Sequence, residues 1–167
     1  MKHLIFNKEL DELSIQEILD WSYDIKQGEG TLFFTSCGGV SYASEILCPI
    51  FNEKRIKVVA LFEVSSSAFE FFLKCDYIEL GNSFSYGMYH KPTTKVDLSR
   101  LKHKDKNNSS HILFDSYDSI CELGTAFFKG LNPTDEELSS YENNEDVLFS
   151  RDRMSVFIEN SRSDEIR

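Results

Sequence analysis

The first 90 residues of the chain predict an α/β fold in which helices cover a mainly parallel β-sheet. Short apolar runs rich in Val, Ile and Phe alternate there with segments whose apolar residues recur at helical spacing. Parallel strands must be joined by a crossover, usually a helix, so this alternation favours βαβ units over hairpins. A chain of 167 residues is long enough for one such domain with its own core.

The first elements are a short strand, an amphipathic helix and a buried strand. Residues 4–6 form the short apolar strand. Ser14 is predicted to cap the helix, with Glu17 three positions later as its capping-box partner. The segment 28–30, which holds two glycines, ends the helical pattern, and the buried strand 31–35 follows.

The middle of the chain continues the alternation. The run 56–62 is rich in β-branched residues and predicts a strand. Pro49 is expected to kink or shorten the helix before that strand, because proline lacks an N–H group. The other predicted elements here are helices over 41–52 and 68–74 and short strands over 77–80 and 85–89.

A polar segment and a long helix follow residue 90. Residues 91–110 are polar and predict a loop or excursion. Apolar residues at helical spacing predict one helix over 112–131, which Gly130 and Pro133 bring to an end.

The end of the chain predicts one more helix and a short apolar run. Thr134 is followed by three acidic residues, which favour a helix start because they interact well with the helix dipole. The apolar run is 147–149. We expect one domain over residues 1–159 and a disordered tail over 160–167.

Charge and hydropathy limit the classes of partner. The net charge of −10 disfavours nucleic acid and anionic membranes, which require dense Lys and Arg. The basic run 100–106 stands beside Asn and Ser residues and is interpreted as a solvated loop, with a phosphate-binding patch as the alternative. No apolar stretch approaches the roughly 18 residues of a membrane helix, and the apolar N-terminus is too short for a secretory signal. We expect a cytoplasmic location.

The four cysteines show no metal-binding or disulfide pattern. Cys37, Cys48, Cys75 and Cys121 form no CxxC pair and do not combine with His at zinc-finger spacing. Reduced thiols are therefore expected. Cys48, Cys75 and Cys121 have apolar neighbours in sequence and are predicted to be small core residues.

Three separate stretches carry the groups that acyl transfer requires. A serine triplet, Ser65, Ser66 and Ser67, stands between a predicted strand and a predicted helix. A serine hydroxyl needs a neighbouring base, and His90 ends a later strand. Backbone N–H groups must stabilise the developing oxyanion, and the turn at Gly38-Gly39 offers such donors.

In this order the motifs resemble the Clp protease proteolytic subunit, within the Clp-protease/crotonase superfamily. That family has a strand ending in Gly-Gly, then a strand ending in the serine turn, then a segment like Met-Ile-His-Gln-Pro. This chain has Gly38-Gly39, the serine triplet and the segment 88–92, which reads Met-Tyr-His-Lys-Pro. The family's aspartate precedes apolar residues and a serine, as Asp146 does here. The similarity covers roughly residues 14–150.

The resemblance implies a crotonase/Clp-protease-like spiral of mainly parallel β-strands with flanking helices. The long helix over 112–131 would be the family's protruding handle helix. The implied activity is that of a serine endopeptidase, which hydrolyses peptide bonds of a peptide or unfolded protein and needs no cofactor. The family also implies a ring-shaped homo-oligomer and a possible unfoldase partner.

The resemblance also implies the roles of individual residues. Ser67 would be the nucleophile and His90 its base, with Asp146 orienting the imidazole. The backbone N–H groups of Gly39 and Ala68 would form the oxyanion hole. Ser66 is the alternative nucleophile, because a step of one residue on a helix turns a side chain by about 100°.

Departures from the family pattern leave other functions open. Glu63 and Val64 stand where the family has small residues before its serine, and Glu70 and Lys74 put charges on a helix that is usually apolar. One alternative is therefore a catalytically inactive scaffold or binding module. In that case the serine triplet would only cap a helix. A crotonase-type acyl-CoA enzyme is a further alternative.

Overall fold

The computed structural model describes residues 1–93 and 109–161, without the side chains of residues 109–116 and 161. Within this part the strands are β1 (Lys2–Asn7), β2 (Gly30–Ser36), β3 (Lys57–Ser65), β4 (Ile78–Leu80), β5 (Tyr86–Tyr89) and β6 (Val147–Phe149). The helices of the same part are α1 (Glu12–Tyr23), α2 (Ala43–Lys54), α3 (Ser67–Lys74), α4 (Ser109–Gly130), α5 (Asp135–Glu142) and α6 (Arg151–Ser161).

The strands form one sheet that is parallel except at one edge. Their order is β1-β2-β3-β5-β6, and β4 also pairs with β3. β6 runs antiparallel to β5. β3 pairs twice along its length, because residues 58–60 align with β4 and residues 63–65 align with β5. The predicted α/β class with a mainly parallel sheet is confirmed.

The long helix after the His90 segment is also present. α4 begins at Ser109 and ends at Gly130, against the predicted range 112–131. Residues 94–108, which include the basic run 100–106 and most of the predicted loop, lie outside the described residues.

The predicted cap of α1 is wrong by three residues. Asp11 is the N-cap, and its carboxylate accepts a hydrogen bond of 2.7 Å from the Ser14 backbone N–H. Ser14 closes the capping box from inside the helix, where its Oγ accepts from the Asp11 N–H at 2.9 Å. Hydrogen bonds that Ser14 donates to the Asp11 carboxylate lower the pKa of Asp11. A charged cap also interacts favourably with the helix dipole, which gives Asp11 an advantage over Ser14.

Pro49 does not end its helix. α2 continues through it to Lys54, and Arg55 then adopts a left-handed conformation as the C-cap. An internal proline costs a helix about 3 kcal/mol. Leu47 and Phe51, on either side of Pro49, are fully buried. Burial of two such side chains stabilises the helix by roughly 3–6 kcal/mol, which offsets the cost of the proline.

Aromatic rings join α3, which follows the turn at Ser66, to β5, which leads to His90. Phe69 of α3 stacks on Tyr89 of β5 with ring centroids 5.2 Å apart, and on Phe149 of β6 at 5.3 Å. Tyr89 also stacks on Tyr141 of α5 at 5.6 Å. Phe69, Phe72 and Phe128 are buried in the core, and Phe127 packs against it. Ring packing therefore fixes α3 against β5 and β6.

The cysteines are all free thiols in this structure. Cys48 and Cys75 are buried with their Sγ atoms 3.8 Å apart, Cys121 is half-buried and Cys37 is exposed. Burial raises the pKa of Cys75 well above its usual value, and a hydrogen bond with Cys48 adds to the rise. The Cys75 thiol is thus protonated and unreactive near neutral pH.

A final helix escaped sequence prediction. α6 buries Met154 and Phe157, although most of its residues are polar. It runs to Ser161, two residues into the predicted tail, and the Asn160 side-chain amide donates to the Leu131 carbonyl at 2.9 Å. Residues 162–167 lie outside the described residues.

A bidentate ion pair between α5 and α6 predicts a pH-dependent stability. Arg153 donates to both carboxylate oxygens of Glu137, at 2.7 and 2.6 Å. Burial alone would raise the pKa of Glu137, but the hydrogen bonds from Arg153 and Thr134 outweigh it and lower the pKa. The ion pair therefore stabilises the folded state at pH values above the pKa that Glu137 has in the unfolded chain. This stabilisation is lost as the pH falls through the lower pKa of Glu137 in the folded protein.

We expect Glu137→Gln to reduce the free energy of unfolding by about 1–3 kcal/mol at pH 7, because it removes the charge from a largely buried pair. Urea denaturation of both proteins from pH 7 to pH 3 measures this, and the difference should shrink below about pH 4.5. Glu122→Gln, on the exposed side of α4, is the control. A difference that stays constant with pH would contradict the prediction.

Candidate active site

The predicted site residues come from the carboxyl ends of three parallel strands. Gly38 and Gly39 follow β2, Ser66 follows β3 and His90 follows β5. The Ser66 backbone N–H donates to the Met88 carbonyl at 2.9 Å, which ties the serine turn directly to the strand that leads to His90. Because parallel strands end at the same edge of a sheet, the sheet brings these turns together.

The diglycine turn packs directly against the serine turn. Gly38 has a φ of 101°, and a Cβ atom at this position would lie 2.6 Å from the Ser66 Cβ and 2.7 Å from the Ser65 carbonyl oxygen. Only glycine fits such a contact at such a φ. Gly38 donates to the Ser36 Oγ at 3.2 Å. The Gly39 N–H has no acceptor among the described residues, so it is available to a ligand.

Ser66 occupies a strained turn between β3 and α3. Its φ of 55° and ψ of −126° are unusual for a residue with a side chain. Strained backbone of this kind is found at functional sites, including the strand-to-helix turn that presents the nucleophilic serine in many hydrolases. Ser66 is the N-cap of α3, but its side chain makes no capping hydrogen bond. The hydroxyl is therefore not used to cap the helix.

The other two serines are less accessible. Ser65 is buried at the end of β3. Ser67 is the first residue of α3, and its Oγ is buried without a hydrogen-bond partner in the described part of the chain. The backbone N–H groups of Ser67 and Ala68 lie in the first turn of α3, where no helical acceptor exists for them.

His90 and Asp146 lie at the same edge of the sheet. In the antiparallel pair, Tyr89 of β5 is aligned with Val147 of β6. His90 directly follows Tyr89 and Asp146 directly precedes Val147, so both residues stand just beyond this aligned pair, at the same end of the two strands. Within the described residues, however, no hydrogen bond joins His90 to Asp146, Ser66 or Ser67.

A cleft of about 300 Å³ opens beside these turns. Its wall includes Gly39, Ser66, Ser67 and His90. Further lining residues come from the turn before α2, from α3, from the His90 segment and from α4. They are Val40, Ser41, Tyr42, Glu70, Tyr89, Pro92, Thr93, Tyr117 and Ile120. Asp146 is exposed and is not part of this wall.

Two tyrosines shape the cleft and were not singled out from sequence. The Tyr89 hydroxyl donates to the Glu70 carboxylate, and Tyr117 of α4 donates to the Pro92 carbonyl at 2.9 Å. Burial raises the pKa of Tyr89 strongly, with a further rise from the Glu70 charge, so its hydroxyl stays protonated and remains a donor. These contacts join residues far apart in sequence, and no local pattern signals them.

Comparison with known proteins supports the fold. No family model matches the sequence, and no curated protein matches it. Among solved structures, a mutant of ClpP1 from Listeria monocytogenes aligns with a TM-score of 0.61 at 14% sequence identity. The alignment covers 93% of this chain and 86% of that chain. The chain has a Clp-protease-like fold. At this level of identity the match establishes the fold alone.

The Clp-like fold confirms the architecture predicted above, namely a mainly parallel sheet with flanking helices and a long helix after the histidine.

Within the described residues, no helix is both long enough and apolar enough to cross a bilayer. The same part of the chain contains no group of three or more His, Cys, Asp or Glu side chains that could bind a metal ion.

Proposed function

We propose that this protein is a serine hydrolase that cleaves peptide bonds through an acyl-enzyme. The observation that carries the proposal is the strained turn at Ser66. The turn packs against Gly38 and opens into the cleft that His90 also lines. Strain of this kind costs roughly 1–3 kcal/mol and persists where the surrounding structure requires it. A serine that only linked a strand to a helix would not need this conformation.

Two features favour Ser66 over Ser67 as the nucleophile. Ser66 is half-buried and has the strained turn conformation, whereas the Ser67 Oγ is buried. With Ser66 as the nucleophile, the N–H group that follows it belongs to Ser67 rather than to Ala68. The oxyanion hole would then consist of the Gly39 and Ser67 N–H groups, each worth roughly 3–4 kcal/mol of transition-state stabilisation.

The proposed reaction has two halves. The Ser66 Oγ forms a bond to the carbonyl carbon of the peptide while His90 takes the hydroxyl proton. The C–N bond then breaks as His90 returns this proton to the leaving amine. Water, deprotonated by His90, attacks the acyl carbon. The bond between this carbon and the Ser66 Oγ then breaks, His90 returns the proton to the Oγ, and the carboxylic acid leaves. Asp146 is proposed to orient the imidazole and to stabilise its charged form.

A fluorophosphonate probe tests this proposal, since it bonds covalently to activated serines with loss of fluoride. We expect the parent protein and Ser67→Ala to gain the mass of one probe less HF, and Ser66→Ala to gain none. Peptide mapping of the labelled protein identifies the modified serine. Labelling at Ser67 would support the serine-hydrolase proposal with Ser67, rather than Ser66, as the nucleophile. Folded parent protein that never reacts would refute the hydrolase.

A catalytically inactive Clp-like scaffold is the second candidate. The observation in its favour is that, among the described residues, His90 forms no hydrogen bond to Ser66, Ser67 or Asp146. In hydrolases, hydrogen bonds between catalytic groups are often long before substrate binds and shorten in the complex. The probe experiment separates the two candidates, because a scaffold would stay unlabelled at any probe concentration that leaves the protein folded.

We also propose that the chain assembles into a homo-oligomer. Large apolar side chains on the strands support this, since Ile5, Phe62 and Leu148 are 74%, 53% and 68% exposed. An unfoldase that delivers protein substrate would be a partner of such an assembly. Sedimentation at several protein concentrations should give a mass above that of one chain. A monomer at all concentrations would refute the assembly.

A further inference from the structure

An acidic side chain forms part of the cleft wall. Glu70 lies one helical turn after Ser66 on α3, and its side chain is only 15% exposed. Among the described residues that line the cleft, Glu70 is the sole acid and none is Lys or Arg. Charge in this wall is therefore dominated by one carboxylate close to the proposed nucleophile.

The Glu70 carboxylate is held in a fixed position. Tyr89 donates to its Oε1 atom, and the Lys74 Nζ lies 3.1 Å from its Oε2 atom. Lys74 is itself fixed by the Ser44 Oγ at 3.3 Å and by the Phe127 ring at 5.1 Å. An ionised carboxylate offers about four acceptor positions, so these two donors leave capacity for a third.

Lys74 compensates this charge from outside the cleft. It is not among the residues of the cleft wall, whereas Glu70 is. A cation that enters the cleft can therefore contact the Glu70 carboxylate directly while it stays farther from the Lys74 ammonium. Because Coulomb energy falls with distance, the attraction outweighs the repulsion.

We propose that Glu70 makes the cleft selective for peptides with a cationic side chain, Lys or Arg, next to the bond that is cleaved. This inference rests on the proposed function in that it assigns the substrate of the same cleft. A hydrophobic side chain would leave the acceptor capacity of Glu70 unsatisfied, and an acidic one would be repelled.

Binding to the inactive variant Ser66→Ala tests this selectivity without requiring hydrolysis. The probes are short fluorescent peptides that differ only in a central Lys, Leu or Glu, and the readout is fluorescence anisotropy. We expect the Lys peptide to bind about 10-fold more tightly than the Leu peptide, and the Glu peptide to bind most weakly. Adding Glu70→Gln should remove this preference while the amide oxygen still accepts from Tyr89.

Two further variants make the test sharper. Lys74→Met removes the compensating charge and should strengthen binding of the Lys peptide about threefold. Glu45→Gln, on the exposed side of α2, removes one negative charge elsewhere and should change nothing. Thermal melting of each variant verifies that it is folded.

Equal or tighter binding of the Leu peptide would overturn the inference, as would a Lys preference that survives Glu70→Gln. Absence of binding by all three peptides would also overturn it. Failure of the hydrolase proposal is seen separately, because a protein that prefers the Lys peptide but never reacts with the fluorophosphonate would be a selective binding module.

Discussion

Replacing His90 with alanine is expected to slow fluorophosphonate labelling by about 10³-fold, because the serine would lose the base that accepts its proton. His90 lines the cleft and follows the strand that is hydrogen-bonded to the serine turn. We expect the His90→Ala protein to keep its fold, since the aromatic packing that holds this segment belongs to the preceding Tyr89. The measurement is the second-order rate of labelling, followed by intact-protein mass.

His3→Ala is the matched control for this change. His3 lies on β1 at the far edge of the sheet, where it packs against Phe33 at a centroid distance of 5.7 Å. The His3→Ala protein should be slightly less stable than the parent protein and should react with the fluorophosphonate at the parent rate. If His90→Ala and His3→Ala both label at the parent rate, His90 is not the base and the proposed mechanism fails.

Gly38→Ala is expected to lower the labelling rate by about 100-fold through a displacement of the serine turn by about 1 Å. The added Cβ would lie 2.6 Å from the Ser66 Cβ and 2.7 Å from the Ser65 carbonyl, and neither atom belongs to a flexible side-chain end. We also expect a loss of about 1–3 kcal/mol in the free energy of unfolding, because alanine disfavours this φ.

Gly28→Ala separates the two effects of that substitution. Gly28 has a φ of 77°, but no heavy atom lies within 4 Å of the position that a Cβ would take, so alanine there meets backbone strain without a steric clash. It should lose about 1 kcal/mol of stability and keep its labelling rate. Urea denaturation and labelling of both variants provide the comparison. If Gly38→Ala labels as fast as Gly28→Ala, the diglycine turn does not support the serine.

The candidate site was predictable in outline but not in detail. The order of the diglycine turn, serine triplet and histidine could be read directly, because each follows a run of apolar residues that forms a strand. Which of the two serines in the cleft wall is the more exposed could not be predicted, because adjacent residues at a helix start differ by about 100° in direction. The positive φ of Ser66 depends on its packing against Gly38, a residue 28 positions earlier in the sequence.

The sequence by itself determined the α/β class, the order of the elements up to β6 and the turns where the candidate site residues lie, because strand and helix periodicities are local properties. Tertiary structure decided what depends on distant partners. It kept α2 helical across Pro49 through burial, formed α6 around two buried side chains, and paired Glu70 with Tyr89 across two elements. Packing energies of this kind exceed local propensities, and they exist only once the chain has folded.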